Sequence, residues 1–146
     1  EDVINRAIPI GHLERKACVT RNMKIHGYKK DVDRSNFNYV YGSDLDAIKK
    51  LEKENPEYAQ KLHANLDNTV AEVLWVVRNE MAITVEDVLS RRFRALLLDA
   101  KAAIDMAPKV ASIMATELGH DKEWETKQVE QFVALAQHYL LVPYKG

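Results

Sequence analysis

Val70, Val73, Leu74, Val77 and Met81 recur at spacings of three and four, the repeat that lines side chains along one face of an α-helix. A half-buried strand repeats every two residues and would scatter these positions over both of its faces. The middle of the chain is therefore bound to helix, and the spacing predicts one over residues 68–81. The same repeat returns twice downstream. Val110, Ile113, Met114 and Leu118 make one stripe, and Trp124, Val129, Phe132, Val133, Ala136 and Leu140 another.

Punctuation residues divide the pattern into elements. Ser43 opens the run SDLD, where its hydroxyl can cap free N–H groups and Asp46 falls in the first turn. A helix is expected over residues 44–54, stopped by Asn55-Pro56, with Pro56 starting a short second helix to residue 62. Thr84 with Asp87 is a second capping-box-like start, for residues 85–92. Leu96, Leu97, Ala100, Ala103 and Ile104 extend the apolar pattern until Pro108, which cannot donate to the residue four back, so a break or kink is expected near Ala107. Gly119 is the expected C-cap of the next helix, and Asp121 the N-cap of the last, which Pro143 ends.

Residues 1–42 are less regular. Val3, Ile4, Ala7 and Ile8 share a helix face that Pro9 and Gly11 terminate. Cys18-Val19-Thr20 and Met23-Lys24-Ile25 can pair as short strands or run as an extended linker. The stretch 31–38 reads as loop, and Tyr28-Lys29-Lys30 as its solvated continuation. The chain opens at Glu1, without Met, in the run EDVINRAI, which reads like the middle of a helix and so like a piece of a larger polypeptide. The expected architecture is all-α: a compact bundle of about five helices preceded by an irregular linker segment.

Charge and cysteine content narrow the function classes. With 21 basic and 22 acidic side chains, no global positive field draws nucleic acid or anionic lipid. One cysteine excludes an internal disulfide framework and favours a reducing, cytoplasmic setting. No apolar run nears the roughly 20 residues that span a bilayer. The five glycines, at 11, 27, 42, 119 and 146, are too far apart to build a GxGxxG or P-loop phosphate cradle.

Four constellations could carry chemistry. Glu117 and His120 have the Glu-x-x-His spacing of di-iron bundles, but the second pair and the extra carboxylates that such a site needs are missing. A polar helix end with His120 near the negative terminus is the preferred reading. Cys18 lies near His12 and His26 in sequence; a buried, inert thiol is preferred over a catalytic pair. Trp124 and Phe132 read as core, while Trp75 sits off the main stripe and faces either a second packing surface or an interface. Arg91, Arg92 and Arg94 form a cluster suited to phosphate or carboxylate. Glu80, Glu86, Asp87 and Asp99 are close in sequence, so internal salt bridging is preferred over partner or anion binding.

Residues 71–119, AEVLWVVRNEMAITVEDVLSRRFRALLLDAKAAIDMAPKVASIMATELG, resemble the C-terminal domain shared by FAD-dependent glycerol-3-phosphate dehydrogenases and glycerophosphate oxidases. The most specific part is Arg78-x-Glu80-Met81-Ala82-x-Thr84-x-Glu86-Asp87-x-Leu89-x-Arg91-Arg92. Leu98-Asp99-Ala100, Ala107-Pro108, Met114-Ala115, Glu117-Leu118-Gly119 and Trp124 continue the likeness. Upstream, Cys18-Val19-Thr20, His26-Gly27-Tyr28 and Tyr41-Gly42-Ser43-Asp44 resemble the family's linker, and EDVINRA the end of a flavin-domain helix. The resemblance implies that residues 1–42 are that helix end plus linker, and 43–146 a helical C-terminal cap. It implies a parent enzyme that oxidises sn-glycerol 3-phosphate to dihydroxyacetone phosphate, with FAD taking the hydride and a membrane quinone (oxygen in the oxidases) taking the electrons.

The family's glycine-rich loop and substrate site have no counterpart in this chain, so no catalytic, cofactor-binding or metal-ligating residue is carried over, and the chain alone is expected to be inactive. The implied partner is the flavin-binding domain of the same polypeptide. Arg91 and Arg92 are the candidate interdomain or anion contacts. Membrane association is expected of the parent only, as a peripheral enzyme on the cytoplasmic membrane. The opening helix is expected to be poorly anchored without its docking surface. The competing reading is a stand-alone helical interaction module that binds a partner through an apolar groove.

Overall fold

A computed structural model describes residues 1–35 and 37–141, so the expected stop at Pro143 lies outside the described residues. The chain divides into two units, Glu1–Leu45 and Asp46–Gly146. The first holds helix α1 (Asp2–Ile10), an extended stretch, and a 3-10 segment, Phe37–Asp44. Helix α1 buries none of its residues, and Val3, Ile4, Ile10, Leu13, Val19, Met23 and Ile25 are all exposed. Neither 18–20 nor 23–25 forms a strand; of the two readings, the extended linker is the one found. Two turns within this unit are tied to each other. The amide of Ser43 donates to the carbonyl of Gly27 at 3.1 Å, and His26 Nε2 meets Asp44 Oδ2 at 2.8 Å. Gly42, at φ 54° and ψ −120°, lies so close to Gly27 that any Cβ would run into its carbonyl. The motifs at 26–28 and 41–44 are thus two halves of one clasp.

The second unit is built around a long helix. Helix α2 (Leu45–Glu54) leads into a 3-10 turn, Pro56–Ala59, capped by the Asn55 side chain. The short helix expected to reach residue 62 stops at Ala59. Strand β1 (Lys61–His63) instead turns back on β2 (Leu66–Thr69) as an antiparallel hairpin. Helix α3 (Val70–Asn79) follows at once, then a π-helical turn, Asp87–Arg92, and helices α4 (Ala95–Leu98), α5 (Ala100–Leu118) and α6 (Lys122–Gln137). A regular α-helix was expected over 85–92. The wider turn instead sends the Phe93 amide to the Val88 carbonyl, five residues back, at 2.9 Å. The added residue per turn lets Val85, Val88, Leu89 and Phe93 all bury themselves.

Helix α5 is continuous through Pro108, against the expected break. Pro108 is exposed, so the Ile104 carbonyl that it deprives of a partner is on the solvent side. On the inner face Met106, Ala107, Val110, Ala111 and Met114 are fully buried. Burial of the three larger of these contributes roughly 5–9 kcal/mol, against about 3 kcal/mol for an interior proline. Packing wins, and the helix holds. α5 packs against α6, α3, α4, β1 and the π turn. The core it anchors includes Val73, Val76 and Val77 of α3, and Phe132 and Ala136 of α6. Caps follow the sequence reading at two places: Gly119 closes α5 at φ 73°, and Asp121 accepts the Trp124 amide at 2.9 Å to open α6. Asp99, paired in expectation with the arginines, instead caps α5 by accepting the Ala102 amide at 2.9 Å.

Candidate functional site

The arginine cluster sits where the π turn meets the end of α3. Asp87 organises it. One carboxylate oxygen accepts the Ile83 amide at 3.2 Å, the Thr84 amide at 3.0 Å and the Thr84 hydroxyl at 2.8 Å; in return Thr84 Oγ1 accepts the Asp87 amide at 3.1 Å. The other oxygen takes Arg91 Nη1 at 2.5 Å, while Arg91 Nη2 reaches Glu86 at 2.8 Å. Partial burial works against ionisation of Asp87, but these hydrogen bonds, led by that of Thr84, outweigh it and hold the carboxyl below its ordinary range. Arg92 reaches back twelve residues. Its Nε lies 3.1 Å from Glu80 Oε2 and its Nη2 donates to the Glu80 carbonyl at 2.6 Å. Arg91 and Arg92 are therefore both held by partners within the domain.

A second tie joins α3 to α5. Arg78 grips Glu117 with two parallel bonds, Nε–Oε2 at 2.7 Å and Nη2–Oε1 at 2.8 Å. The Arg78 hydrogen bond lowers the pKa of Glu117, and Glu117 in turn raises that of Arg78. Sequence reasoning noted both residues in the resembling segment but not their pairing; 39 positions separate them and no local pattern links them. Glu117 is thus committed to an arginine, and His120 stacks on Trp124 with ring centroids 4.4 Å apart. Among the described residues no cluster of three or more His, Cys, Asp or Glu could hold a metal ion.

Sequence reasoning also missed Glu72, which is 3% exposed. It accepts the Thr69 amide and the Asn68 side chain, each at 3.0 Å, and Thr69 donates its hydroxyl to Glu52 at 3.2 Å. Burial raises the Glu72 pKa despite those bonds. Thr69-x-x-Glu72 was a legible capping signature. Trp75 packs against the core with its indole Nε1 buried and without a hydrogen-bond partner among the described residues, so of its two readings the packing one is found.

Cys18 corrects the expectation of a buried thiol. It is exposed because residues 1–45 build no apolar core around it. Its sulfur contacts Thr20 Oγ1 at 3.3 Å, which lowers the thiol pKa. His26 is spent on Asp44, so the Cys–His pair does not form.

The second unit has a cleft of about 400 Å³ beside α3 and α5, lined by Glu57, Tyr58, Leu74, Lys109, Ile113 and Thr116. The first turns of α3, α5 and α6, where backbone amides would cradle a pyrophosphate, are each met by the domain's own carboxylate: Glu72, Asp99 and Asp121. The pyrophosphate cradle of a helix start is therefore already taken at these three places, and no chemical step is assigned to this chain's own residues.

Comparison with known proteins adds the following. Residues 34–125 match the family model described as the C-terminal domain of alpha-glycerophosphate oxidase. The chain is 29% identical over 141 residues to the probable mitochondrial glycerol-3-phosphate dehydrogenase of Dictyostelium discoideum, covering 86% of this chain and 21% of that protein. It is 27% identical over 155 residues to the probable mitochondrial glycerol-3-phosphate dehydrogenase of Caenorhabditis elegans, covering 90% and 21%. The chain thus spans about a fifth of the length of these curated relatives. No solved structure matches it significantly.

Proposed function

The chain belongs to the family of alpha-glycerophosphate oxidase C-terminal domains, and from that premise we propose that it is the helical cap of a flavoenzyme oxidising sn-glycerol 3-phosphate to dihydroxyacetone phosphate. The observation that carries the reading is the match over residues 34–125, together with a span of about a fifth of the glycerol-3-phosphate dehydrogenases it resembles. FAD, bound elsewhere in the parent, would accept the hydride, and a quinone the electrons. Residues 1–42 are read as a helix end and linker, 43–146 as the cap.

The cap's own task is mechanical. The polar residues of its most specific motif, Arg78, Glu80, Thr84, Glu86, Asp87, Arg91 and Arg92, are all engaged in bonds inside the domain. In this reading Arg91 and Arg92 serve the flavin domain by fixing the shape of the surface it meets. Arg92→Ala in the full-length enzyme then weakens flavin retention and lowers turnover.

Among the described residues no helix is long and apolar enough to cross a membrane. We read the parent as a peripheral enzyme on the cytoplasmic membrane, which salt extraction of membranes tests; the two relatives are mitochondrial by name. The activity test is anaerobic flavin bleaching by glycerol 3-phosphate, on this chain with added FAD and on the full-length protein. Bleaching in the full-length protein alone is expected. A folded, flavin-loaded full-length protein that does not bleach refutes the substrate and leaves a helical interaction module.

A further inference from the structure

Next to the motif, whose polar groups are satisfied internally, lie side chains that are not. Met81 and Ile83 are 84% and 64% exposed, and Leu97 and Leu98 are 67% and 64% exposed. Both pairs belong to the otherwise well-packed second unit. The two segments are tied together: Arg92 clamps Glu80, directly before Met81, by side chain and carbonyl, and the Arg94 carbonyl accepts the amides of Leu97 and Leu98 at 3.0 and 3.1 Å. Two residues here, Met81 and Arg94, hold the left-handed backbone at φ 55°, a conformation that side chains bearing a Cβ rarely adopt. Arg94 itself is exposed, and its guanidinium has no partner among the described residues. Arg91 and Arg92, its neighbours, both have theirs.

We propose that Met81, Ile83, Arg94, Leu97 and Leu98 form the surface on which the remainder of the same polypeptide docks. This rests on the reading of the chain as the C-terminal part of a longer enzyme. The occupant follows from two observations. About four-fifths of the relatives' length lies outside this chain, and in such a protein that polypeptide is tethered beside the domain at high effective concentration. An exposed guanidinium without a partner, together with four exposed apolar side chains on the same unit, fits a facing surface with an acid or backbone carbonyls set in apolar surroundings. The internal salt bridges hold this surface in shape before docking.

The test uses the full-length protein with benzoylphenylalanine replacing Leu97, and a control with it replacing Lys127, which is exposed on α6. After irradiation and digestion, position 97 is expected to crosslink to peptides outside residues 1–146 at least fivefold more than position 127. Arg94→Gly suits the left-handed backbone and removes the guanidinium; it lowers the yield at position 97 without lowering the melting temperature of the full-length protein. Equal yields from both positions overturn the proposal, as do adducts that join position 97 only to the same domain of a second copy. The two readings separate cleanly. Crosslinks without flavin bleaching by glycerol 3-phosphate uphold the docking surface and remove the substrate, while bleaching without crosslinks removes the docking surface alone. A natural protein with an intact mass of 16.7 kDa, that of this chain, overturns both.

Discussion

Replacing Pro108 with alanine should stabilise the domain. In the interior of α5 the proline forfeits a hydrogen bond to the Ile104 carbonyl and presses its ring on the preceding turn, a handicap of about 3 kcal/mol relative to alanine. Against this, proline's fixed φ restricts the unfolded chain, which is worth about 0.4–1 kcal/mol to the native protein. The net expectation for Pro108→Ala is a gain of about 2 kcal/mol. Pro108 is exposed, so no core volume is lost by the change. For a unit of this size the gain corresponds to roughly 5–15 °C in melting temperature. Urea unfolding followed by tryptophan fluorescence reads it directly, since Trp75 and Trp124 both sit in the second unit. A variant no more stable than the parent, or less stable at an unchanged m-value, refutes the reasoning. It would mean that the ring is needed to shape α5 for its neighbours rather than carried at a cost on the solvent side.

Three further outcomes follow from the ties described above. Glu117→Gln breaks the grip of Arg78 and costs about 0.5–1 kcal/mol at pH 7, the range for a half-exposed pair. Because Arg78 lowers the Glu117 pKa, the stability this pair supplies is present above the ordinary carboxylate range and fades as pH falls through the lowered value; the variant's deficit should therefore vanish in strong acid, as chemical denaturation at pH 7 and pH 2.5 will show. Glu72→Gln works in the opposite sense: burial raises the Glu72 pKa, so the native chain loses stability as pH rises through that value, and the variant, which can still accept the Thr69 amide, should be the more stable at pH 7 and lose that part of the pH slope. Amides of residues 5–8 in α1 should exchange within seconds in the isolated chain, because the helix buries nothing; protection comparable to that of α5 counts against this.

The helices legible in the sequence were those whose apolar stripe and caps agree. α3, α5 and α6 carry Val73, Val110 and Phe132 at helical spacing, and Gly119 and Asp121 punctuate the boundary between two of them. The β1–β2 hairpin was not legible: Lys61-Leu62-His63 and Leu66-Asp67-Asn68-Thr69 carry little β-branched or aromatic signal, and pairing across the intervening turn holds them. The π turn was missed because one extra residue per turn leaves the apolar spacing almost unchanged. At the candidate site, Asp87–Arg91 could be read from a spacing of four, whereas Arg92–Glu80 and Arg78–Glu117 exist only once the chain has folded. Cys18 was misjudged because a thiol is buried only where neighbouring chain supplies a core, and residues 1–45 supply none.

A helix of 19 residues that packs against α3, α4, α6, β1 and the π turn also governs how that unit comes apart. Fraying of α6 or of the hairpin uncovers the inner face of α5, and α5 cannot then stand alone: its buried side is largely alanine, with methionine and valine between, and it draws its stability from what lies against it. The unit should open as one cooperative step rather than by successive loss of parts. Limited proteolysis of such a module should then track its global unfolding, and a substitution on the α5 inner face should weaken its packing on both α3 and α6.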